Sequence, residues 1–443
     1  MTKIIINSYK NAINFLEKHS KRFFLIKKVI RYKKKLQHSK RFRLMSIIKY
    51  EKRWRQLKKK YKEIILYGIE FVSIGETIPR LFNLIEDMDK EKSKSFYIVL
   101  PTFFDYYSGG INNRRMFDLF GKKIHFVKDS NIDFWTFSII FHINDINCRQ
   151  FDKYASPRLG GIKVSLNKPL LPFAEKEIIE GENKLRNMGI SKGFICLHAR
   201  ESNVKRETFS KMVGYETLCR NCDINTFIDA SRYFANLDIQ SVRLGKYETK
   251  KCDEKTIIDY SNLYYDEFMD FYLLSRCKFL IGCDSGLSSI CGYWGRPVLF
   301  TNMLSICYGG ESAPDMEYMM YIPKKFYSRK EKRYLNLYEM LNIMDECGLN
   351  SFNYVKKGIV LEDNTGEEIL EAAIELNKRL DGLWIETEEE LEHYDKYWEI
   401  MRMWNLEHKE VKQRKQSGFE GYTIFFCRLS YSYLKKNLYI LKL

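Results

Sequence analysis

Residues that suit an anionic, hydroxyl-bearing ligand follow three apolar stretches of the sequence. His198 and Arg200 follow Phe194–Leu197, Gly245 and Lys246 follow Ser241–Leu244, and Asp284-Ser285-Gly286 follows Phe279–Ile281. Arginine offers a planar fork that matches two phosphate oxygens. Ligands of parallel α/β sheets bind beyond the carboxyl ends of the strands. If the apolar stretches are strands, the pattern predicts a site for a phosphorylated ligand.

The Asp-Ser-Gly turn is expected to recognise two parts of that ligand. The main-chain amides at a helix start carry partial positive charge and favour an anion. The groups expected to face it are the Ser285 hydroxyl and the amides of Ser285, Gly286, Leu287 and Ser288. Asp284 would repel a phosphate, so we expect it to accept a hydrogen bond from a sugar or ribose hydroxyl. A nucleotide sugar offers both the anion and the hydroxyls.

Each of these residues also has a purely structural interpretation. An aspartate after a strand often caps a helix, a single histidine such as His198 is commonly buried with its hydrogen bonds made, and a single arginine such as Arg200 usually forms an ion pair. Their joint placement at neighbouring strand ends favours the binding site.

The elements that must position these residues alternate between strand and helix. The predicted strands are Glu63–Tyr67, Phe96–Leu100, Ile124–Val127, Thr136–Phe141, Phe194–Leu197, Ser241–Leu244, Thr256–Asp259, Phe279–Ile281 and Val298–Phe300. The predicted helices are Ala174–Met188, Ile224–Leu237 and Glu267–Ser275, and Asn144–Lys168 is predicted as loop. This alternation predicts βαβ units, parallel sheets and an α/β fold.

Length and composition narrow the class of protein. A chain of 443 residues predicts two domains with extensions. Its eleven cysteines show no disulfide-like framework, and Met1–Arg31 lacks the apolar core of a signal peptide, so a reducing cytoplasm is expected. No run of about eighteen apolar residues predicts a membrane span.

The net charge of +17 is concentrated near Lys21–Lys62, and a second basic, aromatic-rich segment is Tyr422–Leu443. Both have the apolar spacing of amphipathic helices, which suit an anionic membrane surface. The alternative is that both pack on the protein itself. Nucleic acid is not expected as a partner, because no recognisable DNA- or RNA-binding module accompanies the charge.

Six motifs in fixed order carry a resemblance to a known family. They are HARES, CRNCDINTFIDA, SVRLGKYE, TIIDYSN, FMDFYLLSRCKFLIGCDSGLSSICGYWGRPVLFTN and VLEDNTGEEILEAA. Together they resemble bacterial surface-polysaccharide glycosyltransferases of the O-antigen and capsule type, over about residues 169–377. The Asp284–Pro297 block is similar to the donor-site turn of heptosyltransferases, and His198-x-Arg200 to the H-x-R of fucosyltransferases.

The resemblance implies a GT-B enzyme with two Rossmann-like domains and a cleft between them. The implied ranges are a basic helical extension at 1–62, an acceptor domain at 63–170, a nucleotide-sugar domain at 171–345, and C-terminal helices at 346–443 that return to the first domain or face a membrane. The acceptor implied is a surface glycan, expected to be lipid-linked and reached from the cytoplasmic face of the inner membrane. The N-terminal half is much less similar, which leaves the acceptor's identity open.

The resemblance also implies roles for individual residues. Arg220 and Asn221 stand at family-like donor-binding positions, and Glu201 stands where aspartate is usual. Arg200 and the amides of Ser285–Leu287 are expected to neutralise the leaving phosphate. The stretch Phe71–Pro79 resembles the I-G-D turn of heptosyltransferases and nominates Glu76 as the general base, with Asp105 as its rival.

No metal or other cofactor is expected. The sequence has no Asp-x-Asp flanked by apolar strand residues; the nearest patterns are Asp87-Met88-Asp89 and Asp145-Ile146-Asn147. Cys219 and Cys222 have no second tight pair to complete a four-ligand zinc site. We therefore expect turnover in excess EDTA. Two other functions stay open: an epimerase-like nucleotide-sugar enzyme and a non-catalytic sugar-nucleotide-binding protein.

Overall fold

The computed structural model describes residues 59, 63–69, 74–90, 95–101, 113–126, 148–151, 162–201, 218–246, 250–304, 306, 315–415 and 427–442. The chain divides into two compact units. The first comprises Met1–Ser73 and Arg80–Pro157, and the second comprises Ile74–Pro79 and Arg158–Leu443. The domain ranges expected from the sequence stay a prediction.

The first unit contains a four-stranded parallel sheet. Its strands are β1 Glu63–Ile69, β2 Ser95–Pro101, β3 His125–Phe126 and β4 Cys148–Phe151, in the order β3-β2-β1-β4. The helices are α1 Ile74–Lys90, of which the part from Arg80 belongs to this unit, and α2 Arg115–Phe120. Aromatic contacts join them: the rings of Phe82 and Phe120 meet edge to face at 5.0 Å, as do those of Phe117 and Phe126.

The second unit is built on a seven-stranded sheet in which every pair of neighbours is parallel. The strands are β6 Phe194–His198, β7 Gln240–Arg243, β8 Ile257–Ile258, β9 Leu280–Cys283, β10 Val298–Met303, β12 Met320–Pro323 and β16 Arg428–Leu429. Their order is β16-β12-β10-β9-β6-β7-β8. The carboxyl ends of all seven strands therefore meet at one edge.

Helices and two small sheets complete the second unit. The helices are α3 Glu175–Asn187, α4 Ile228–Asn236, α5 Tyr260–Leu263, α6 Glu267–Arg276, α7 Gly286–Ile290, α8 Leu337–Cys347, α9 Ser351–Lys356, α10 Gly366–Leu380, α11 Glu388–Lys415 and α12 Tyr431–Lys436. One small sheet pairs β5 Lys163–Val164 with β11 Asp315–Met316, and the other joins β13 Lys325–Ser328, β14 Arg333–Tyr334 and β15 Ile359–Glu362.

The central strands of the large sheet form the core of the second unit. Every residue of β6, β9 and β10 is buried. Strands covered on both faces are apolar along their whole length instead of alternating, which is why the sequence shows them as short unbroken apolar runs. Full burial of one Leu or Ile side chain stabilises the fold by about 1.5–3 kcal/mol.

The α/β class and most predicted elements are confirmed, with one wrong prediction. Residues Asn144–Lys168 were predicted as loop, yet β4 and β5 lie in this stretch. Both strands are short, at four and two residues, and two residues are too few to show periodicity. The predicted helix Ile224–Leu237 begins as a 3₁₀ turn, Ile224–Phe227, before α4. The predicted strand Thr136–Phe141 lies outside the described residues.

The described part of the C-terminal basic segment packs inside the second unit, which agrees with the alternative that this segment packs on the protein itself. β16 pairs with β12, and Tyr431, Tyr433, Leu434 and Ile440 are buried. Lys436 pairs with Glu367 and Glu371 at 2.8 and 2.6 Å. The apolar side of this segment thus covers its own protein. Segment Lys21–Lys62 lies outside the described residues except for Lys59, and none of the described helices is long and apolar enough to cross a membrane.

Candidate functional site

The carboxyl edge of the seven-stranded sheet brings together most of the polar residues singled out in the sequence. In the pairing of β6 with β9, His198 lies opposite Gly282, and in the pairing of β6 with β7, Leu197 lies opposite Arg243. The residues that follow these strands, Arg200, Gly245 and Asp284, therefore leave the sheet side by side. The structure brings these strand ends together as expected, and a ligand site at this edge stays a prediction.

His198 and Arg200 are both buried, with 7% of each residue exposed. The His198 ring nitrogen Nδ1 lies 3.2 Å from the Leu244 carbonyl oxygen, which ties the end of β6 to the end of β7. The main-chain amide of Arg200 donates to the Cys283 sulfur at 3.0 Å. Its guanidinium Nη1 donates to the Asn221 side-chain oxygen. Arg200 is thus fixed at its backbone by β9 and at its head by Asn221.

Arg220 and Asn221 join the same group from a short 3₁₀ turn, Leu218–Arg220. Arg220 Nε donates to the Asp284 carbonyl oxygen at 2.9 Å, and Nη2 donates to the Asp284 carboxylate at 3.3 Å. The main-chain amide of Cys222 donates to the Arg200 carbonyl at 3.2 Å. The structure therefore places the family-like Arg-Asn pair against both Arg200 and Asp284.

The Asp-Ser-Gly turn begins α7 as predicted, and Ser285 of the turn bonds to Ser288 of the helix. Ser285 is the N-cap: its hydroxyl accepts from the Ser288 amide at 3.3 Å and lies 3.2 Å from the Ser288 hydroxyl. Ser288 is fully buried. The amide and hydroxyl of Ser288 both face Ser285, and the expected role of Ser288 in donor binding stays a prediction.

Gly286 lies at a close backbone approach. Gly75, which belongs to the second unit, is so near that a Cβ placed on it would collide with the Gly286 Cα. No side chain larger than hydrogen fits at Gly75 without a shift of backbone. This packing holds the start of α1 beside the start of α7. The Glu76 backbone lies in that first turn, whereas the rival base Asp105 lies outside the described residues.

Gly245 and Lys246 continue from the end of β7. Gly245 has φ +148°, in the region that favours glycine. The Lys246 ammonium lies 3.8 Å from Glu267 and 4.9 Å from the centre of the Tyr265 ring. Its side chain is 44% exposed, against 22% for Arg220.

Glu201 has a structural function. It accepts from the buried Arg243 guanidinium at 2.7 Å and from the Lys250 amide at 2.9 Å. Arg243 also donates to Asp259 at 3.3 Å. A buried guanidinium requires such partners, and Glu201 is one of them.

Lys324, which was not singled out in the sequence, follows β12 at the same edge of the sheet. It is 2% exposed, and its ammonium donates to the Asn221 carbonyl at 3.1 Å and to Asp363. The strand-end rule would have found it if Met320–Pro323 had been identified as a strand. The Asn302–Asn364 pair was also missed: each side-chain oxygen accepts the other's main-chain amide, at 2.6 and 2.7 Å.

The two cysteines of Cys219-x-x-Cys222 have different surroundings. The Cys219 sulfur donates to the Leu349 carbonyl at 3.4 Å, whereas contact with Cys283, together with burial, raises the pKa of Cys222 well above its usual value. The pair Cys219-x-x-Cys222 thus has one thiol bonded to a main-chain carbonyl and one beside Cys283. The described part of the chain contains no group of three or more His, Cys, Asp or Glu residues that could hold a metal ion.

Taken together, the edge of the sheet holds a compact polar group that we call the strand-end cluster. Its members are His198, Arg200, Arg220, Asn221, Asp284, Ser285 and Lys324. Three of its side chains are cationic, and Asp284 is acidic. An edge with excess positive charge, amides and hydrogen-bonding oxygens can bind an anion that also carries hydroxyl groups.

Comparison with known proteins gives structural neighbours only. No protein-family model and no curated protein matches the sequence. A glycosyl transferase family 9 structure from Veillonella parvula DSM 2008 has 11% identity and a TM-score of 0.40, over 72% of this chain and 97% of that one. E. coli ADP-heptose lps heptosyltransferase II has 13% and 0.29, over 54% and 84%.

The third neighbour is S. aureus MnaA in a structure with UDP, which has 13% identity and a TM-score of 0.28 over 74% of this chain and 98% of that one. Each of these likenesses concerns the path of the chain.

Proposed function

We propose that the protein is a glycosyltransferase of GT-B type that moves a sugar from a nucleotide-sugar donor to a surface-glycan acceptor. The observation that carries the proposal is the hydrogen-bonded group of Arg200, Arg220, Asn221 and Asp284. Arg200 and Asp284 were expected in the site because they follow predicted strands. Arg220 and Asn221 were expected there because they lie in a motif that carries the family resemblance. The structure brings them together at a sheet edge where ligands of parallel α/β sheets bind.

The proposed reaction breaks the bond between the anomeric carbon and a nucleoside diphosphate. Negative charge then builds on the leaving phosphate. Preorganised cationic and amide groups stabilise such charge without reorganising during the reaction. Arg200, held in place by Asn221, is the proposed cation, and the amides of Ser285–Leu287 are the proposed neutral donors. The proposal includes no metal, since the sequence lacks the Asp-x-Asp pattern of metal-bridged donors.

The acceptor hydroxyl must lose a proton, for which we propose Glu76 as general base. The contact of Gly75 with Gly286 supports this choice, because it holds the start of α1 beside the proposed phosphate-binding turn. Glu76→Gln is then expected to lower kcat while the donor affinity stays unchanged. If Asp105→Asn has this effect and Glu76→Gln does not, Asp105 is the base.

We further propose a lipid-linked acceptor at the cytoplasmic face of a membrane, supported by the basic segment Lys21–Lys62. Two alternative functions use the same donor site: an epimerase-like enzyme, and a binding protein without turnover. An epimerase changes its nucleotide sugar without an acceptor, and a binding protein leaves it intact. Chromatography of donor incubated with and without a glycolipid extract separates the three.

The first prediction concerns donor binding by Arg200. In titration calorimetry against UDP, GDP, ADP, TDP and CMP in excess EDTA, we expect the wild-type protein to bind at least one. Hydrogen bonds to charged groups contribute about 1.5–3 kcal/mol each, so Arg200→Ala should weaken binding by about 10-fold to 100-fold. Its circular dichroism should stay that of the wild type.

The matched control is Arg232→Ala, because Arg232 is 62% exposed and pairs with Glu254 away from the strand-end cluster. It should bind like the wild type. Equal affinity of the Arg200→Ala and wild-type proteins would remove Arg200 from the site. No binding to any of the five nucleotides, or binding only after a divalent metal is added, would contradict the donor site as proposed.

A further inference from the structure

Lys324 is an enclosed lysine whose partners connect it to the strand-end cluster. Its main-chain amide donates to the Met303 carbonyl at 3.1 Å, which anchors it between β12 and β10. Only 3% of its side chain is exposed. The ammonium donates to the Asp363 carboxylate and, at 3.1 Å, to the Asn221 main-chain carbonyl.

A buried ammonium is costly unless it is paired and hydrogen-bonded. The Asp363 carboxylate provides the opposite charge, and it is itself 38% exposed. A salt bridge with Asp363 alone could form at the surface, however, and would not require the lysine to be enclosed. The second acceptor, the Asn221 carbonyl, explains the direction of the side chain, because it lies in the segment that holds Arg200.

Asn221 is held at several points of its backbone. Its amide donates to the Leu218 carbonyl at 2.9 Å, and the next amide, of Cys222, donates to the Arg200 carbonyl at 3.2 Å. Its side-chain oxygen accepts from the Arg200 guanidinium. When the main chain of a residue is held on both sides, its side chain can occupy only a narrow range of positions. A cation that is hydrogen-bonded to that side chain is then held in place, as a binding site requires.

We propose that Lys324 is a positioning residue: it fixes the main chain at Asn221, and Asn221 in turn orients the Arg200 guanidinium for an incoming diphosphate. This inference rests on the proposed function only in taking the anion to be the donor's diphosphate. Lys324 acts through Asn221 and does not itself contact the ligand. Without this support, the free Arg200 side chain has more orientations, and it loses more conformational entropy when the diphosphate binds. The affinity for the diphosphate is therefore lower.

The experiment compares Lys324→Met with Lys325→Met. Lys325 is adjacent in sequence, is 16% exposed at its side chain and pairs with Glu368 at 3.1 Å, outside the strand-end cluster. The probe is whichever of the nucleoside diphosphates UDP, GDP, ADP and TDP binds the wild type most tightly, and the parent nucleoside without phosphates is titrated in parallel. We expect about tenfold weaker nucleotide binding by Lys324→Met and less than twofold change for Lys325→Met.

Two readouts separate positioning from general damage to the fold. Loss of Arg200 orientation weakens binding of the phosphorylated probe and leaves nucleoside binding unchanged, whereas general damage weakens both. In an Asn221→Ala background the side-chain link to Arg200 is already absent, so Lys324→Met should then add less than twofold. Such non-additivity is the signature of residues that act through one another.

Asn221→Ala alone keeps the carbonyl that Lys324 binds, so it tests the proposal even if Lys324→Met fails to fold. It should weaken nucleotide binding about tenfold, and unchanged binding overturns the proposal. Equal losses for nucleotide and nucleoside, or additive effects in the double variant, also overturn it. If Arg200→Ala loses nucleotide binding while Lys324→Met and Lys325→Met behave alike, this inference fails and the donor site stands. If the wild type binds no nucleotide, both this inference and the proposed donor site are overturned.

Discussion

Arg220 and Asp284 form a partly enclosed ion pair in which one guanidinium holds both a carboxylate and a main-chain carbonyl. The Asp284 side chain is 8% exposed and that of Arg220 is 22% exposed. Arg220→Ala removes both bonds and leaves the carboxylate enclosed without this cation. We expect it to lower the free energy of unfolding of the second unit by about 2–3 kcal/mol. Asp284→Asn keeps the 2.9 Å bond from Nε and should cost about 1 kcal/mol. Urea unfolding followed by circular dichroism measures both.

Lys192→Ala is the control for that comparison. Lys192 pairs with Asp238, but the two side chains are 53% and 71% exposed, and exposed pairs contribute about 0–1 kcal/mol. If Arg220→Ala and Lys192→Ala lower stability equally, the Arg220–Asp284 pair has no greater weight than a pair at the surface.

Residues of the candidate site can be predicted from the sequence where a rule links a local pattern to a position in the fold. Apolar runs followed by His198, Arg200 or Asp284 are visible in the sequence, and parallel strands end at one edge. The partners of these residues are not visible in this way: Arg220 meets Asp284 across 64 positions. Lys324 stands in a Lys-Lys pair, a pattern typical of a surface, and only its place between Asn221 and Asp363 distinguishes it.

Burial determines which strands can be predicted from the sequence. β6, β9 and β10 are buried along their whole length, so their apolar runs were clear. The strands missed in the sequence include β4 and β5, of four and two residues, whose formation depends on the partner strand. A strand that forms because it pairs with a partner strand need not show an alternation of apolar and polar residues in its own sequence.

The C-terminal segment is joined to the second unit by a buried glutamate of α10. Glu375 is fully buried and accepts from the Ser430 hydroxyl at 2.7 Å, the Ser432 amide at 2.8 Å and Arg379 at 3.0 Å. Glu375→Ala leaves these donors without this acceptor. Because breaking a buried charged network is strongly destabilising, we expect a loss of about 3 kcal/mol in the free energy of unfolding, measured by urea titration.

Glu371→Ala is the control from the same helix. Glu371 pairs with Lys436 of the same C-terminal segment, but its side chain is 32% exposed and that of Lys436 is 47% exposed. It should cost less than about 1 kcal/mol. A loss for Glu375→Ala no larger than that for Glu371→Ala would show that the buried contact does not hold the segment. Limited proteolysis should then also cleave both variants at the same rate.

Positive charge is unevenly distributed along the chain. Residues Lys21–Lys62 contain nineteen Lys and Arg residues and one acidic residue, Glu51, while the whole chain has a net charge of +17. The remainder is therefore close to neutral. Since the apolar side of the described C-terminal residues is buried in the protein, the proposed membrane contact depends on Lys21–Lys62.

The membrane proposal predicts that full-length protein sediments with anionic vesicles and not with neutral phosphatidylcholine vesicles. Each Lys or Arg near an anionic surface contributes about 1 kcal/mol, and salt screens the attraction, so binding should weaken strongly between low salt and about 0.5 M salt.

Replacing Lys33, Lys34 and Lys35 by Gln should weaken binding several-fold. The control replaces Lys330, Lys332 and Lys378, which are exposed in the second unit, and removes the same charge. If both triple variants lose binding equally, net charge and not the basic segment is responsible; equal binding of the wild type to both vesicle types, or none to either, contradicts the membrane proposal and leaves the donor site untouched.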